Sequence, residues 1–207
     1  MKIADEWDID NLPNRLTMFR IALIPVIIVS LFLQSTNLLV PYHLVLGHIA
    51  GWTFVMASIT DFLDGYIARK RKIVTVFGSF LDPIADKCLI VSSLIMLLAL
   101  GRIPVLIVII LVLREIYIMA LRLLSLERGF NIKVGQLGKW KTALQMIGIP
   151  MLMVNYPLLG IPFPLIGIIM IYATTVLSLY SATEYSIETF RKLKMARKEK
   201  VHKEVLQ

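Results

Sequence analysis

Cysteine is nearly absent from this sequence. The one thiol, Cys88, excludes an intrachain disulfide framework. Its place in an apolar run predicts a small packed residue. Charge is also scarce: 17% of residues are Asp, Glu, Lys or Arg, against about a quarter in soluble domains. The opening MKIADEWDID has no basic n-region, and no small-residue cleavage site precedes the first apolar run, so a secretory leader is not expected. The acidity of that stretch argues equally against a mitochondrial transit peptide. Inverted internal repeats of the transporter kind are missing too.

What fills the chain instead is apolar. Of its 207 residues, 57% are hydrophobic, in runs that approach the roughly 20 residues needed to cross a bilayer. This predicts an all-α integral membrane bundle of six transmembrane helices, forming a single domain over 1–207. Residues 1–13 are expected to lie at the interface, with Ile3, Trp7 and Leu12 at the headgroup boundary and Asp5, Glu6, Asp8 and Asp10 in water. The spans are expected at about 15–34, 43–69, 77–100, 104–126, 139–155 and 162–190, followed by a charged tail, 191–207. The polar run 35–37 with Pro41, then Gly101, then the polar stretch 127–138, then the Asn155-Tyr156-Pro157 break separate them. Gly47 and Gly51 permit a close helix approach in the second span. His43 and His48 are expected at its non-cytoplasmic interface.

The formal net charge of +8 is placed unevenly. Residues 35–42 and 155–163 carry no Lys or Arg, and 101–104 has only Arg102. The opposite connections hold Arg69 to Lys72, then Arg128, Lys133, Lys139 and Lys141, and the tail is basic. The positive-inside rule therefore puts both termini and the basic loops in the cytoplasm. The charge reads as a topology signal, with anionic membrane lipid as its neighbour, and not as a nucleic-acid footprint.

Against this background the stretch 61–87, DFLDGYIARKRKIVTVFGSFLDPIADK, is anomalous. An aspartate at mid-membrane costs roughly 2.5–3.5 kcal/mol. Asp61, Asp64, Asp82 and Asp86 must therefore face a polar cavity or bind cations. Asp61 and Asp64 are i, i+3 on one helix, and Asp82 and Asp86 are i, i+4 on the next. A short basic turn joins the two helices, so they must be antiparallel neighbours. Two carboxylate pairs facing each other make a site for hard divalent cations, Mg²⁺ or Mn²⁺ in preference to zinc or copper. Gly65, Ala68 and Gly78 leave room for a ligand, and Arg69 offers a bidentate phosphate clamp. Such a set suits a diphosphate. The bland alternative is a group of helix-end residues that serve topology alone.

The pattern Asp61-x-x-Asp64-Gly65-x-x-Ala68-Arg69, eight residues, Gly78-x-x-x-Asp82-x-x-x-Asp86 resembles the signature of the CDP-alcohol phosphatidyltransferase family at every fixed position. The resemblance implies a six-span membrane enzyme, usually a homodimer. It implies metal binding by Asp61, Asp64 and Asp82, with Asp86 as metal ligand or general base. It assigns Asp61, Gly65, Ala68, Arg69 and Gly78 to the cytidine diphosphate part of the donor, with the Thr75 hydroxyl near the nucleotide. Asn14, Thr17 and Arg20 resemble the family's first-helix residues that approach the nucleotide or diphosphate.

Further stretches narrow the branch. NLPNRLTMFRIALIP (11–25), FGSFLDPIADK (77–87), the pair Arg114-Glu115 with Arg122, and GKWKTALQM (138–146) resemble the branch that joins CDP-diacylglycerol to glycerol 3-phosphate. An anionic acceptor suits the residues themselves. Arg114 and Glu115 lie mid-span, where charge is expensive unless paired or functional. Arg114, Arg122, Lys139 and Lys141 are expected to bind the acceptor's phosphate, with Glu115 orienting a basic residue. Two alternatives stand beside this reading. One keeps the family and changes the acceptor to inositol phosphate, serine or phosphatidylglycerol. The other is a divalent-cation or proton transporter, against which the aspartates cluster at one side with no acidic path to the other.

Overall fold

Apolar runs of this length form helices, and the computed structural model is built of them. It describes residues 12–71, 76–128, 135–157 and 160–205; within these, the side chains of 12–13, 37–38, 64–71, 76–80, 126 and 196–205 are outside the description. The helices are α1 (Leu12–Ser35), α2 (His43–Arg71), α3 (Val76–Ala99), α4 (Val105–Glu127), α5 (Gln136–Val154) and α6 (Phe163–Val205). A 3₁₀ helix, Asn37–Tyr42, occupies the connection expected to be a turn. α6 runs well past the expected end of the last span and carries most of the basic tail in helical form. Lys and Arg are good helix formers, so the tail extends the helix once it leaves the apolar layer.

Among the described residues, three segments are long and apolar enough to cross a membrane: Asn14–Ser35, Leu39–Leu63 and Phe163–Met195. Large apolar side chains stand outward along them, among them Val29, Phe32, Trp52, Met56 and Ile59, each more than half exposed. An outward apolar surface of this extent fits lipid as solvent.

The chain forms two compact units. One comprises residues 1–105 and 146–170, the other 106–145 and 171–207. In the first, α1 packs against both α2 and α3. Its core includes Ile27, Leu31, Phe54, Leu89, Leu94 and Leu97, all essentially inaccessible. Gly47 and Gly51 do allow a close approach: a Cβ on Gly47 would lie 2.7 Å from the Met153 carbonyl oxygen, and one on Gly51 2.9 Å from Val154 Cγ2. α2 and the end of α5 therefore touch backbone to backbone, as small residues permit in membranes. Cys88 is exposed, not packed. It lies two turns from Ile95, which is also exposed, so both fall on the outer face of α3.

α3 ends as its sequence predicts. Gly101 adopts φ +68°, the Gly101 N–H donates to the Leu98 carbonyl, and the Arg102 N–H donates to the Leu97 carbonyl. This is the Schellman arrangement, and its left-handed residue favours glycine. The turn then aims Arg102 inward. Its Nη1 donates to the carbonyls of Leu152 (2.9 Å) and Met153 (2.8 Å), and its Nη2 donates to Gln34 Oε1 (2.9 Å). Gln34 Nε2 donates in turn to the His43 carbonyl. One guanidinium thus caps the last turn of α5 and ties it to the end of α1. Burial lowers the Arg102 pKa to about 10, which leaves it charged at neutral pH. Sequence reading treated Arg102 only as a minor topology signal. We expect Arg102→Met to lower the thermal unfolding midpoint of the detergent-solubilised protein, at a cost of about 1.5–3 kcal/mol, the worth of a charged hydrogen bond. An unchanged midpoint would show the clamp to be idle.

Candidate active site

In the first unit the site is assembled from three helices. Asn14, Thr17 and Arg20 repeat at i, i+3, i+6 on α1 and are all buried, Thr17 and Arg20 at 0% exposure. A buried guanidinium needs a carboxylate, and Arg20 has one: its Nη1 is 2.6 Å from Asp61 Oδ1 on α2. One turn earlier, the Thr17 hydroxyl donates to Asp82 Oδ1 on α3 at 2.5 Å. The same face of α1 therefore holds one aspartate from each of its neighbours.

Asp61 lies within electrostatic reach of both Asp82 and Asp86 as well as Arg20. The Asp61 and Asp86 side chains are partly accessible, at 33% and 25%. Lys87 Nζ stands 3.9 Å from Asp86 Oδ2, a long contact between sequence neighbours. Asp61 on Arg20 and Asp82 on Thr17, with Asp86 in electrostatic reach of Asp61, bring more negative charge than the one guanidinium offsets, and their oxygens are hard donors. That donor set fits Mg²⁺ or Mn²⁺ and suits no softer metal. Among the described residues no three His, Cys, Asp or Glu side chains are close enough to form a complete metal cage. The fourth aspartate, Asp64, has its side chain outside those described, as do Gly65, Ala68, Arg69 and Gly78, and Thr75 lies outside the described residues altogether.

The second unit contains a separate buried ionic group. Glu115 on α4 accepts from Lys141 Nζ on α5 and, at 3.1 Å, from Arg114 Nη1. The Glu115 and Lys141 side chains are each only 3% exposed. Arg114 continues to α6, where its Nε donates to the Ser178 carbonyl (3.2 Å) and its Nη2 to Ser181 Oγ (2.6 Å). Of the four basic residues expected at an acceptor phosphate, Arg114 and Lys141 are thus drawn together by Glu115, whereas Arg122 and Lys139 are exposed. The sixth span is expected from the sequence, but its buried polar row is not. Thr174, Ser178, Ser181 and Tyr185 recur there at helical spacing and are buried. The Thr174 and Ser178 hydroxyls, the Tyr185 hydroxyl and both polar atoms of Gln145 are buried with no partner among the described residues. Polar periodicity in an apolar helix was the signal available.

The sequence has counterparts among known proteins. The family model for CDP-alcohol phosphatidyltransferase matches residues 10–180, which takes in every side chain described above except Tyr185 and Ser181. A CDP-diacylglycerol–glycerol-3-phosphate 3-phosphatidyltransferase from Bacillus subtilis (strain 168) is 35% identical over 192 residues, covering 89% of this chain and 97% of the relative. Its counterpart from Haemophilus influenzae is 36% identical over 182 residues, covering 84% and 91%. The Rickettsia bellii protein of the same name is 43% identical over 144 residues, covering 70% and 75%. With a match of that extent laid over aspartates that α1 holds in one cluster, the chain belongs to the CDP-alcohol phosphatidyltransferase family.

Proposed function

We propose that this protein transfers the phosphatidyl group of CDP-diacylglycerol to the 1-hydroxyl of glycerol 3-phosphate, giving phosphatidylglycerophosphate and CMP in phospholipid biosynthesis. The observation that carries the reading is the aspartate cluster of α2 and α3 held by α1, within a chain that covers nearly the whole length of a relative bearing that name.

Asp61, Asp64, Asp82 and Asp86 would hold a divalent cation, Mg²⁺ or Mn²⁺, which neutralises charge on the donor diphosphate. Asn14, Thr17, Arg20, Gly65, Ala68, Arg69, Thr75 and Gly78 shape the donor's seat. Asp86 takes the proton from the acceptor's 1-hydroxyl. The hydroxyl oxygen forms a bond to the phosphorus nearer the diacylglycerol, the bond from that phosphorus to the bridging oxygen breaks, and CMP leaves with the electron pair. Arg114, Arg122, Lys139 and Lys141 receive the phosphate of the acceptor. Glu115 offsets one of the two buried cations, Arg114 and Lys141, so that group retains positive charge for an anion.

The outward apolar surface makes this a membrane protein. The apolar runs support six spans, the basic loops support cytoplasmic termini and a cytosol-facing site, and the resemblance to bacterial relatives supports a bacterial inner membrane. CDP-diacylglycerol then enters from the cytoplasmic leaflet with its acyl chains in lipid, and the working form is a homodimer.

The test offers purified protein CDP-diacylglycerol and Mn²⁺ with each candidate acceptor and measures CMP. We expect release with glycerol 3-phosphate and little with inositol phosphate or serine. CMP from inositol phosphate alone would replace the acceptor, and no CMP with any acceptor would remove the enzyme reading.

A further inference from the structure

Two hydrogen-bonding side chains on α1 do more than line a donor pocket. Thr17 and Arg20 are three residues apart, both fully buried, and each reaches an aspartate on a different helix. A carboxylate turns easily about its last bond, because that torsion is broad and roughly two-fold. A fixed donor on one oxygen removes that freedom and leaves the second oxygen aimed. Thr17 does this to Asp82 through Oδ1, and Arg20 does it to Asp61 through Oδ1. Because both donors ride on one helical face, they also fix the separation of the two carboxylates. The helix that carries no metal ligand of its own thereby sets the geometry of the ligands on α2 and α3.

We infer that Thr17 and Arg20 are positioning residues that pre-orient Asp82 and Asp61 for a divalent cation, an inference that rests on the metal-dependent reading above. Outer-shell partners of metal-binding carboxylates commonly govern affinity by about 10- to 100-fold. Arg20 adds a second property. Its planar guanidinium reaches Asp61 Oδ1 at 2.6 Å with donors fixed in direction, which a lysine ammonium cannot reproduce.

The experiment measures Mn²⁺ binding to the full chain in detergent, with CDP-diacylglycerol present, from the electron paramagnetic resonance signal of free Mn²⁺. Thr17→Val removes the hydroxyl at nearly constant volume, and we expect its Kd for Mn²⁺ to rise about tenfold or more. Thr17→Ser keeps the hydroxyl and should stay close to the parent protein. Arg20→Lys keeps the charge and loses the planar guanidinium, so its Kd should also rise about tenfold. In both weakened variants the Mn²⁺ concentration giving half-maximal activity shifts upward by the same factor, and excess Mn²⁺ restores turnover. Should Thr17→Val fail to fold, Arg20→Lys carries the same test. Unchanged Mn²⁺ affinity together with weaker CDP-diacylglycerol binding would overturn the inference and make the two residues donor contacts. Absence of Mn²⁺ binding to the parent protein would overturn the metal reading and this inference with it. Normal Mn²⁺ binding without CMP formation from glycerol 3-phosphate would count against the acceptor alone.

Discussion

Asp86→Asn should abolish turnover while the folded protein still binds CDP-diacylglycerol. Loss of a general base costs about 10²- to 10⁴-fold in rate, and the amide can neither accept the proton nor bring the negative charge of a carboxylate to a cation. The prediction gains force from where Asp86 sits. It is partly accessible, at 25%, and within electrostatic reach of Asp61. A base must be able to meet an incoming hydroxyl, and that accessibility leaves Asp86 open to one. The decisive measurement is turnover across a Mn²⁺ titration, with CDP-diacylglycerol binding followed in parallel. A pure metal ligand would give a variant that recovers as Mn²⁺ rises. A base gives one that stays inactive at saturation. Full turnover in Asp86→Asn would remove the residue from the chemistry.

The aspartates were legible in the sequence because their environment made them expensive. Four carboxylates at i, i+3 and i, i+4 in an apolar chain admit few explanations, and the structure brings two of them, Asp61 and Asp82, to one face of α1. The helices were legible for a related reason. A bilayer demands long apolar runs, so their limits agree with α1 to α5 within a few residues. The end of α6 was less legible, since hydropathy marks where a helix leaves the membrane and says nothing of whether it continues in water. Cys88 was misread because an apolar run in a membrane protein has no hydrophobic contrast between core and surface. Apolar neighbours therefore could not tell the inner face of α3 from its outer face.

Tertiary partners were legible only where a charge demanded one. Burial of Arg20 required a carboxylate, but four were available, and nothing in the spacing selects Asp61. Thr17 offered still less, since a threonine in an apolar helix commonly bonds its own backbone, as Thr175 and Thr189 do here. Its turn toward Asp82 is a product of how α1 packs on α3. Arg102 had the opposite problem. A lone arginine in a short turn suggests a solvated charge, and only the fold shows it capping α5.

Glu115→Gln should be among the most destabilising single changes in the chain, by about 3–5 kcal/mol, because it strands a buried lysine beside an arginine. The Lys141 side chain is 3% exposed and the Arg114 side chain 11%, and both contact the same Glu115 oxygen. Arg114 keeps the Ser178 carbonyl and the Ser181 hydroxyl when the carboxylate is gone. Lys141 is the more deeply buried of the two cations, so loss of the carboxylate falls mostly on it. Combining Glu115→Gln with Lys141→Met should therefore recover a large part of the stability, since the stranded charge leaves with its partner. Thermal unfolding of the two single variants and the double variant forms the cycle, and singles that simply add would refute the coupling. Kinetics then separate packing from function. If Lys141 receives the acceptor's phosphate, the double variant regains its fold but keeps a raised KM for glycerol 3-phosphate, with KM for CDP-diacylglycerol little changed. If Lys141 serves only to neutralise Glu115, recovery of the fold brings recovery of both constants.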